Sequence, residues 1–428
     1  MALIKAVLDA NLVDPAVAQE APSYLERLTA ALQANSWNNL EQITGRTRTQ
    51  WTDAAHTLAK ANRLVVLTGS GVLRQPGGSG IVTNLLDLLI LLGKLNKPGC
   101  GLGPLAEENN DQGAVEMGTV AEFIPGPAPL NDRAARERLT GLWREELPRT
   151  PGATLLEMLA GGKKGTLKAL FVVGENPVGT LPAAAQAKEA LGRLELLVCQ
   201  ELFLTETAAM AHVVLPAASY MEKNGTFTNS EGHVQAVRQA INPVGDSLPD
   251  WEILSALSVL IGSPIDYGDA REILKEIRSL IPGYGLLGPT PMPPKIDQAV
   301  LTQYLTQGFA EDLSERYAGA SAAPSDAGQF TMAFVQTLIH SGKLSTRSKG
   351  LDQLQHDGFV TLNSADASRM GVVEGGRVTI SNSRGSVTVP VKVRDRVPPG
   401  VAWFPEHFDG EAKQLAEWAI DPRTQIPY

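Results

Sequence analysis

The chain has 428 residues with 37 Lys+Arg against 46 Asp+Glu, a formal charge of −9, and is 43% apolar and 19% charged. That supply of apolar residues excludes global disorder, and the length suggests two or three domains of about 150 residues each. A net acidic chain gains no counterion release on a polyanion, so a nucleic-acid partner is not expected.

The start, MALIKAVLDANLVD, lacks a long apolar run and does not read as a secretory signal. Residues 1–62 read as helical, with apolar spacing of three to four across Ala16–Leu32 and again across Trp51–Asn62, after the polar turn Gly45–Gln50. The period then changes. Arg63–Leu67 is a short apolar run ending in Thr68-Gly69-Ser70-Gly71, a buried strand delivering the chain into a glycine turn. The helical run Ile81–Gly93 carries Asn84 and Asp87 and is too short to span a bilayer. No direct membrane span is therefore expected, and the chain reads as cytoplasmic. Cys100, in the glycine-rich run Lys97–Gly103, reads as a free thiol in a flexible loop.

The strand–loop–helix pattern recurs at Leu167–Val173 with the loop Gly174-Glu175-Asn176-Pro177, and at Leu194–Val198 with the loop Cys199–Leu204. A further run, Val213–Leu215, closes at Pro216. Strands alternating with helices at this spacing predict an α/β fold with a parallel sheet and ligand loops at the strand C-termini. Helical blocks follow at Trp251–Ile261 and Ala270–Ile281, and then the breaker-rich stretches Gly283–Lys295 and Ala318–Gln329. From Phe330 the texture is β-like, at Val360–Leu362, Arg377–Ser381, Ser386–Val393 and Val401–Phe404, with one short helix, Ser364–Met370, opened by an N-cap Ser. The expected organisation is a helical segment over 1–62, an α/β domain over 63–282, a linker or surface segment over 283–329 and a β-barrel or sandwich over 330–428.

Gly69 and Gly71 invite a dinucleotide reading, but the third glycine of G-x-G-x-x-G would fall at Arg74, so a tight turn is favoured unless other loops join it. Glu175 and Asn176 end one strand, Glu201, Thr205 and Thr207 follow the next, and Glu222–His233 is a further polar stretch that includes Asn229. Taken singly, each loop reads as caps and turns, with Thr205 able to cap the next helix. Gathered at one sheet edge, they would line a pocket for an extended ligand with phosphate and base groups. His212 reads as a packed, hydrogen-bonded core residue. The six His show no metal-binding spacing, and two cysteines, Cys100 and Cys199, cannot supply the four thiolates of an iron–sulfur cluster. They also make no disulfide framework, which fits a reducing compartment.

Taken together, Gly69–Val72, Gly78, Leu92–Gly99, Pro104–Gly113, Met117-Gly118, Gly174–Pro177, Phe203–Thr207, His212–Pro216 and Glu222–Gln235 resemble the molybdopterin oxidoreductases. The nearest in character are the formate dehydrogenase alpha chain and the large, formate-dehydrogenase-like subunit of bacterial NADH:quinone oxidoreductase. His340–Ser348, Asn363–Asp366, Gly375–Val378 and Ser383–Gly385 resemble that family's C-terminal dinucleotide-binding β-domain. The resemblance implies a pterin dinucleotide (molybdopterin guanine dinucleotide), if retained, at Gly69, Gly71, Glu175, Asn176, Pro177, Glu201, Thr205, Thr207, Asn229, His340, Ser345 and Arg347. It gives no metal ligand and no catalytic residue on this chain. The family opens with a cysteine-rich cluster-binding segment and a half that carries the metal ligand, so the chain resembles the C-terminal half alone. A cluster-bearing partner chain is then expected, within a redox complex peripheral to a membrane. Formate dehydrogenases of the family place a catalytic Arg where this chain has Ala106, followed by Glu107 and Glu108; Ala cannot stabilise a substrate anion and the acids would repel it. Two functional readings stay open: a complex subunit without an active centre of its own, and the cofactor-binding half of a split molybdenum or tungsten enzyme. A free-standing binding protein is the third class, disfavoured because half of a wrapped-around fold should expose a large apolar face.

Overall fold

Pro22 divides the first long helical stretch in two. Ala21 sits between α2 (Pro15–Glu20) and α3 (Pro22–Gln33) in a non-helical conformation, and each helix has a proline in its first turn, where the missing N–H is no loss. The computed structural model describes the chain apart from residues 74, 76, 106–107, 182–183, 282, 285–300, 302–304, 306–328, 341, 409–411 and 417–428. Tyr24, Leu28 and Leu32 line one face of α3 and pack with Ile4 and Val7 of α1 (Ala2–Asp9). α4 (Trp37–Thr44) leads into α5 (Arg48–Lys60), which starts inside the predicted turn because Thr47 and Gln50 form a reciprocal capping box. α6 (Gly78–Leu91) joins the same core through Leu88 and Leu91, and the Tyr24 hydroxyl donates to its buried Asp87 at 2.5 Å. Leu301 and Leu305, within the stretch read as linker, also pack on this core; most of that stretch lies outside the described residues.

β1 (Val65–Thr68) pairs in parallel with β2 (Gly101–Pro104). The expected flexible loop around Cys100 therefore ends in a strand. Glycine leaves it room, since a Cβ at Gly103 would stand 2.9 Å from Leu67 Cδ2, and pairing with β1 overrides its low strand propensity. α7 (Asp111–Glu116), the short hairpin of β3 (Phe123–Ile124) and β4 (Ala128–Pro129), and α8 (Arg133–Trp143) follow.

The second parallel sheet has the order β5 (Ala169–Val173), β6 (Leu196–Glu201), β7 (Val213–Pro216). α9 (Leu155–Lys164) and α11 (Ala184–Leu191) cover one of its faces, and α10 (Pro177–Thr180) follows β5 directly. The strands expected in one sheet are thus divided, among the described residues, between two. The polar stretch after Glu222 forms a hairpin of β8 (Gly225–Thr228) and β9 (Val234–Val237). α12 (Asp250–Leu260) and α13 (Ala270–Leu280) complete this region, with α13 packing on α8.

The C-terminal region is a curled five-stranded sheet of β10 (Thr331–Val335), β11 (Val360–Leu362), β12 (Arg377–Asn382), β13 (Gly385–Val393) and β14 (Val401–Pro405), in the order β10-β14-β11-β13-β12. Val387, Val389 and Val391 alternate inward from β13 onto Val360, Leu362 and Phe404. The helix Ser364–Arg369 is capped by the Asn363 side chain, which accepts from Ala365 N at 2.9 Å, and not by Ser364. Asn363 sits one residue before the first helical turn, where the cap must be.

Candidate functional site

β5 and β6 end side by side, with Val173 opposite Gln200. Gly174 turns the chain at φ 63° and donates its N–H to the Gln200 carbonyl at 2.9 Å; glycine, with no Cβ, takes this left-handed conformation without steric cost. The loop that follows is knitted to the one after β6. Asn176 Oδ1 accepts from Thr207 N (3.1 Å) and Oγ1 (2.8 Å), Asn176 Nδ2 donates to Glu206 Oε2 (2.7 Å), and Val178 N donates to Thr207 Oγ1 (3.1 Å). Glu175 accepts from Asn176 N and from the Thr180 hydroxyl, and Pro177 opens α10. Thr205 does cap a helical turn, with its hydroxyl accepting from Ala208 N at 3.2 Å.

Glu201 ends β6 as a buried carboxylate that accepts from Leu202 N at 2.7 Å. Burial pushes this carboxyl up, the Leu202 N–H opposes the rise, and the Glu175 and Asp250 charges add to it. Burial beside Glu201 also pushes the Cys199 thiol up to about 11, so it is an inert core group. Gln200, fully buried, donates to Asp250 Oδ1 at 2.8 Å, and Lys223 pairs with the other oxygen of Asp250. This chain of contacts ties the start of the β8–β9 hairpin to the sheet edge.

The segment after His340 reaches the same edge. Lys343 Nζ lies 3.8 Å from Glu206 Oε1, and the Arg347 guanidinium lies over the Phe203 ring at 5.4 Å. Burial alone would raise the Glu206 carboxyl, but hydrogen bonds from backbone and Asn176 and the charges of Lys343 and Arg347 outweigh it and hold it below the usual carboxylate range. Gly179 provides the room: a Cβ there would overlap Asn176 Nδ2 and stand 2.8 Å from Lys343 Nζ.

Seven of the sequence-predicted residues therefore meet at one edge: Glu175, Asn176, Pro177, Glu201, Thr205, Thr207 and Arg347. His340 and Ser345 sit behind Lys343. His340 is fully buried, with Nε2 2.9 Å from the Gln355 carbonyl and Nδ1 3.0 Å from Ser345 Oγ, so both brace the segment's turn. Gly69 and Gly71 follow β1 of the other sheet, in the turn around Ser70–Val72, with open space where a Cβ would stand. Asn229 caps the β8–β9 turn, accepting from Glu231 N and His233 N. His212 is exposed, and its Nδ1 accepts from Leu197 N at 2.9 Å; it braces a strand and is not packed in a core. Sequence reasoning did not single out Lys343, Glu206, Gln200 or Asp250. Lys343 lay within a recognised run, but only the fold shows that it faces Glu206.

Two buried polar atoms at these strand ends have no hydrogen-bond partner among the described residues, Thr68 Oγ1 on β1 and Gln200 Oε1 on β6. Buried polar groups normally find partners, so orphans at strand C-termini fit a polar ligand. No group of three His, Cys, Asp or Glu among the described residues is arranged to hold a metal ion.

Against known families, residues 47–259 match the molybdopterin oxidoreductase model and residues 334–428 match the molybdopterin dinucleotide binding domain. The chain belongs to the molybdopterin oxidoreductase family. It is 29% identical over 447 residues to the F420-dependent formate dehydrogenase subunit alpha of Methanocaldococcus jannaschii, covering 100% of this chain and 66% of that one. It is 34% identical over 358 residues to an NADH-quinone oxidoreductase subunit of Rhizobium meliloti, covering 82% of this chain and 40% of that one. The solved structure of acetylene hydratase from Pelobacter acetylenicus shares the fold, with a TM-score of 0.70 at 16% identity, over 99% of this chain and 64% of that one. This member of the family thus spans two thirds or less of the length of these three relatives. No helix among the described residues is long and apolar enough to cross a membrane.

Proposed function

We propose that this chain is a subunit of a multi-subunit redox complex that keeps the molybdopterin oxidoreductase fold without an iron–sulfur cluster or a complete active site of its own. The observation that carries this reading is the seating of Lys343 and Arg347 on the loops of Asn176 and Thr207, two cations at strand ends where the phosphates of a dinucleotide would lie. Relatives named as a formate dehydrogenase alpha subunit and as an NADH-quinone oxidoreductase subunit support it. Ala106 and Glu108 argue against formate as a substrate of this chain, since an Ala offers no cation to a carboxylate and the acid repels it; Ala106 and Glu107 lie outside the described residues.

The residues at the edge fit a pterin dinucleotide. Lys343 and Arg347 suit its phosphates, and Glu175, Glu201 and Glu206 suit the N–H and amino donors of pterin and guanine rings. Thr68 and Gln200 offer buried oxygens without partners among the described residues. When bound, the group supplies the metal-carrying redox centre. The chain's own part is to bind and orient it: the two cations neutralise phosphate charge, and the Asn176–Thr207 bonds hold the loops in register.

The second reading, the cofactor-binding half of a split molybdenum or tungsten enzyme, is favoured by those same orphaned oxygens. Metal and pterin analysis of the purified complex, with a formate-dependent dye-reduction assay, separates the two. No formate turnover is expected. Stoichiometric molybdenum or tungsten together with formate turnover overturns the first reading in favour of the second.

A further inference from the structure

The carboxylate of Glu206 sits in an anion cradle that the chain makes for itself. Asn176 Nδ2 donates to Glu206 Oε2 at 2.7 Å, Lys343 Nζ stands 3.8 Å from Oε1, and the charges of Lys343 and Arg347 both act on the group. An amide N–H and two cations are the partners that a phosphate takes. The cations suited to a phosphate are therefore already engaged, by an acid of the neighbouring loop.

The two sides of this contact differ in freedom. The Lys343 side chain is 29% exposed and reaches within 2.8 Å of where a Cβ at Gly179 would stand, whereas the Glu206 side chain is 57% exposed. Asn176, the other donor, is pinned by the two bonds its Oδ1 accepts from Thr207. The donors are thus fixed, and the acid is the part that can turn to water. At 3.8 Å its contact with Lys343 is also longer than a charge-assisted hydrogen bond. A diphosphate brings more charge and more acceptor oxygens to the same donors. We propose that Glu206 is an internal counter-anion, which holds Lys343 and Arg347 until a diphosphate-bearing ligand displaces it and so sets how much phosphate charge a ligand must bring. Once displaced, its carboxylate can turn to the ligand's ring donors. The proposal rests on the reading of this edge as a dinucleotide site, and adds a residue that opposes entry where the two cations favour it.

The test is a phosphorus-31 NMR titration of the purified full chain with inorganic pyrophosphate, which has no ring and so reports the exchange of anions alone. Glu206→Gln keeps an oxygen for Asn176 Nδ2 and removes the charge. It should bind pyrophosphate about three- to fivefold more tightly than the parent, the range that an exposed ion pair allows. Glu206→Asp draws the carboxylate back from Lys343 by one methylene and should fall between the two; if the Gln variant does not fold, tighter binding by the Asp variant carries the test. Lys343→Gln should weaken binding, and the gain from Glu206→Gln should disappear in the double variant, as direct competition for one cation requires. Equal or weaker binding by the Glu206 variants, in a chain whose binding still needs Lys343, makes Glu206 a positioner of that lysine. That result overturns the counter-anion role and leaves the dinucleotide edge standing. Binding that Lys343→Gln does not weaken, or none by parent and Glu206 variants alike, overturns the edge as well.

Discussion

Asn176 and Thr207, 31 residues apart, are joined by two hydrogen bonds that converge on one oxygen: Thr207 N and Oγ1 both donate to Asn176 Oδ1, at 3.1 and 2.8 Å. Both residues are buried, so neither set of polar atoms has water to fall back on. Asn176→Ala strands the two Thr207 donors, while the exposed Glu206 carboxylate turns to water, and should cost about 1–3 kcal/mol. Asn176→Asp keeps the acceptor but replaces the donor facing Glu206 with a second negative oxygen. It should be destabilised as well, and more at neutral pH than in acid. Chemical denaturation of both variants at two pH values checks this.

Gly179→Ala tests how closely the Lys343 segment sits on α10. Alanine in a helix ordinarily gains about 0.5–1 kcal/mol over glycine. Here the new methyl would overlap Asn176 Nδ2 and stand 2.8 Å from Lys343 Nζ, and overpacking of this kind costs about 1–3 kcal/mol. The lysine end can swing away; the Asn176 amide is held by its bonds to Thr207 and Glu206. Net destabilisation is therefore expected. A thermal melt that shows no loss for Gly179→Ala would refute the close seating.

The strand–loop–helix alternation was legible because β5, β6 and β7 are short apolar runs ended by Gly, Glu or Pro, a pattern that survives without tertiary knowledge. The loops of Glu175 and Thr207 were legible for the same reason. Division of the strands between two sheets was not, since Gly101–Pro104 has the composition of a loop and becomes a strand only by pairing with Val65–Thr68. Nor could the approach of Lys343 to Glu206 be read: the residues stand 137 positions apart, and the contact depends on the space that Gly179 leaves. The Asn363 cap was missed by one residue, an ordinary uncertainty of helix ends.

Glu206 predicts an acid-labile joint. Its folded pKa lies below the ordinary carboxylate value of 4.5, so its contribution to stability is present above that value and is lost as pH falls through the folded pKa. Protonation removes the charge that faces Lys343 and Arg347. Hydrogen exchange of the backbone amides over Lys343–Arg347 should accelerate in acid, once corrected for intrinsic exchange. Glu206→Gln should show that faster exchange already at neutral pH.

Glu201 runs the opposite way. Burial raises its pKa, against the pull of the Leu202 N–H and with the help of the Glu175 and Asp250 charges, so the folded state holds a proton more tightly than the unfolded chain does. Stability is therefore lost as pH rises from the ordinary carboxylate value of 4.5 through the raised one, and above that the ionised carboxylate is a constant penalty. Glu201→Gln keeps an oxygen for Leu202 N, which now donates to Glu201 Oε1 at 2.7 Å, and removes the buried charge. The variant should melt higher than the parent at neutral pH, and the difference should vanish below the ordinary carboxylate range. A bound ligand that donates to Glu201 would reverse the order, because the charge would then be partnered. Melting curves at two pH values, taken on the isolated chain and again on the purified complex, distinguish an unpaired buried acid from one that the complex supplies with a donor.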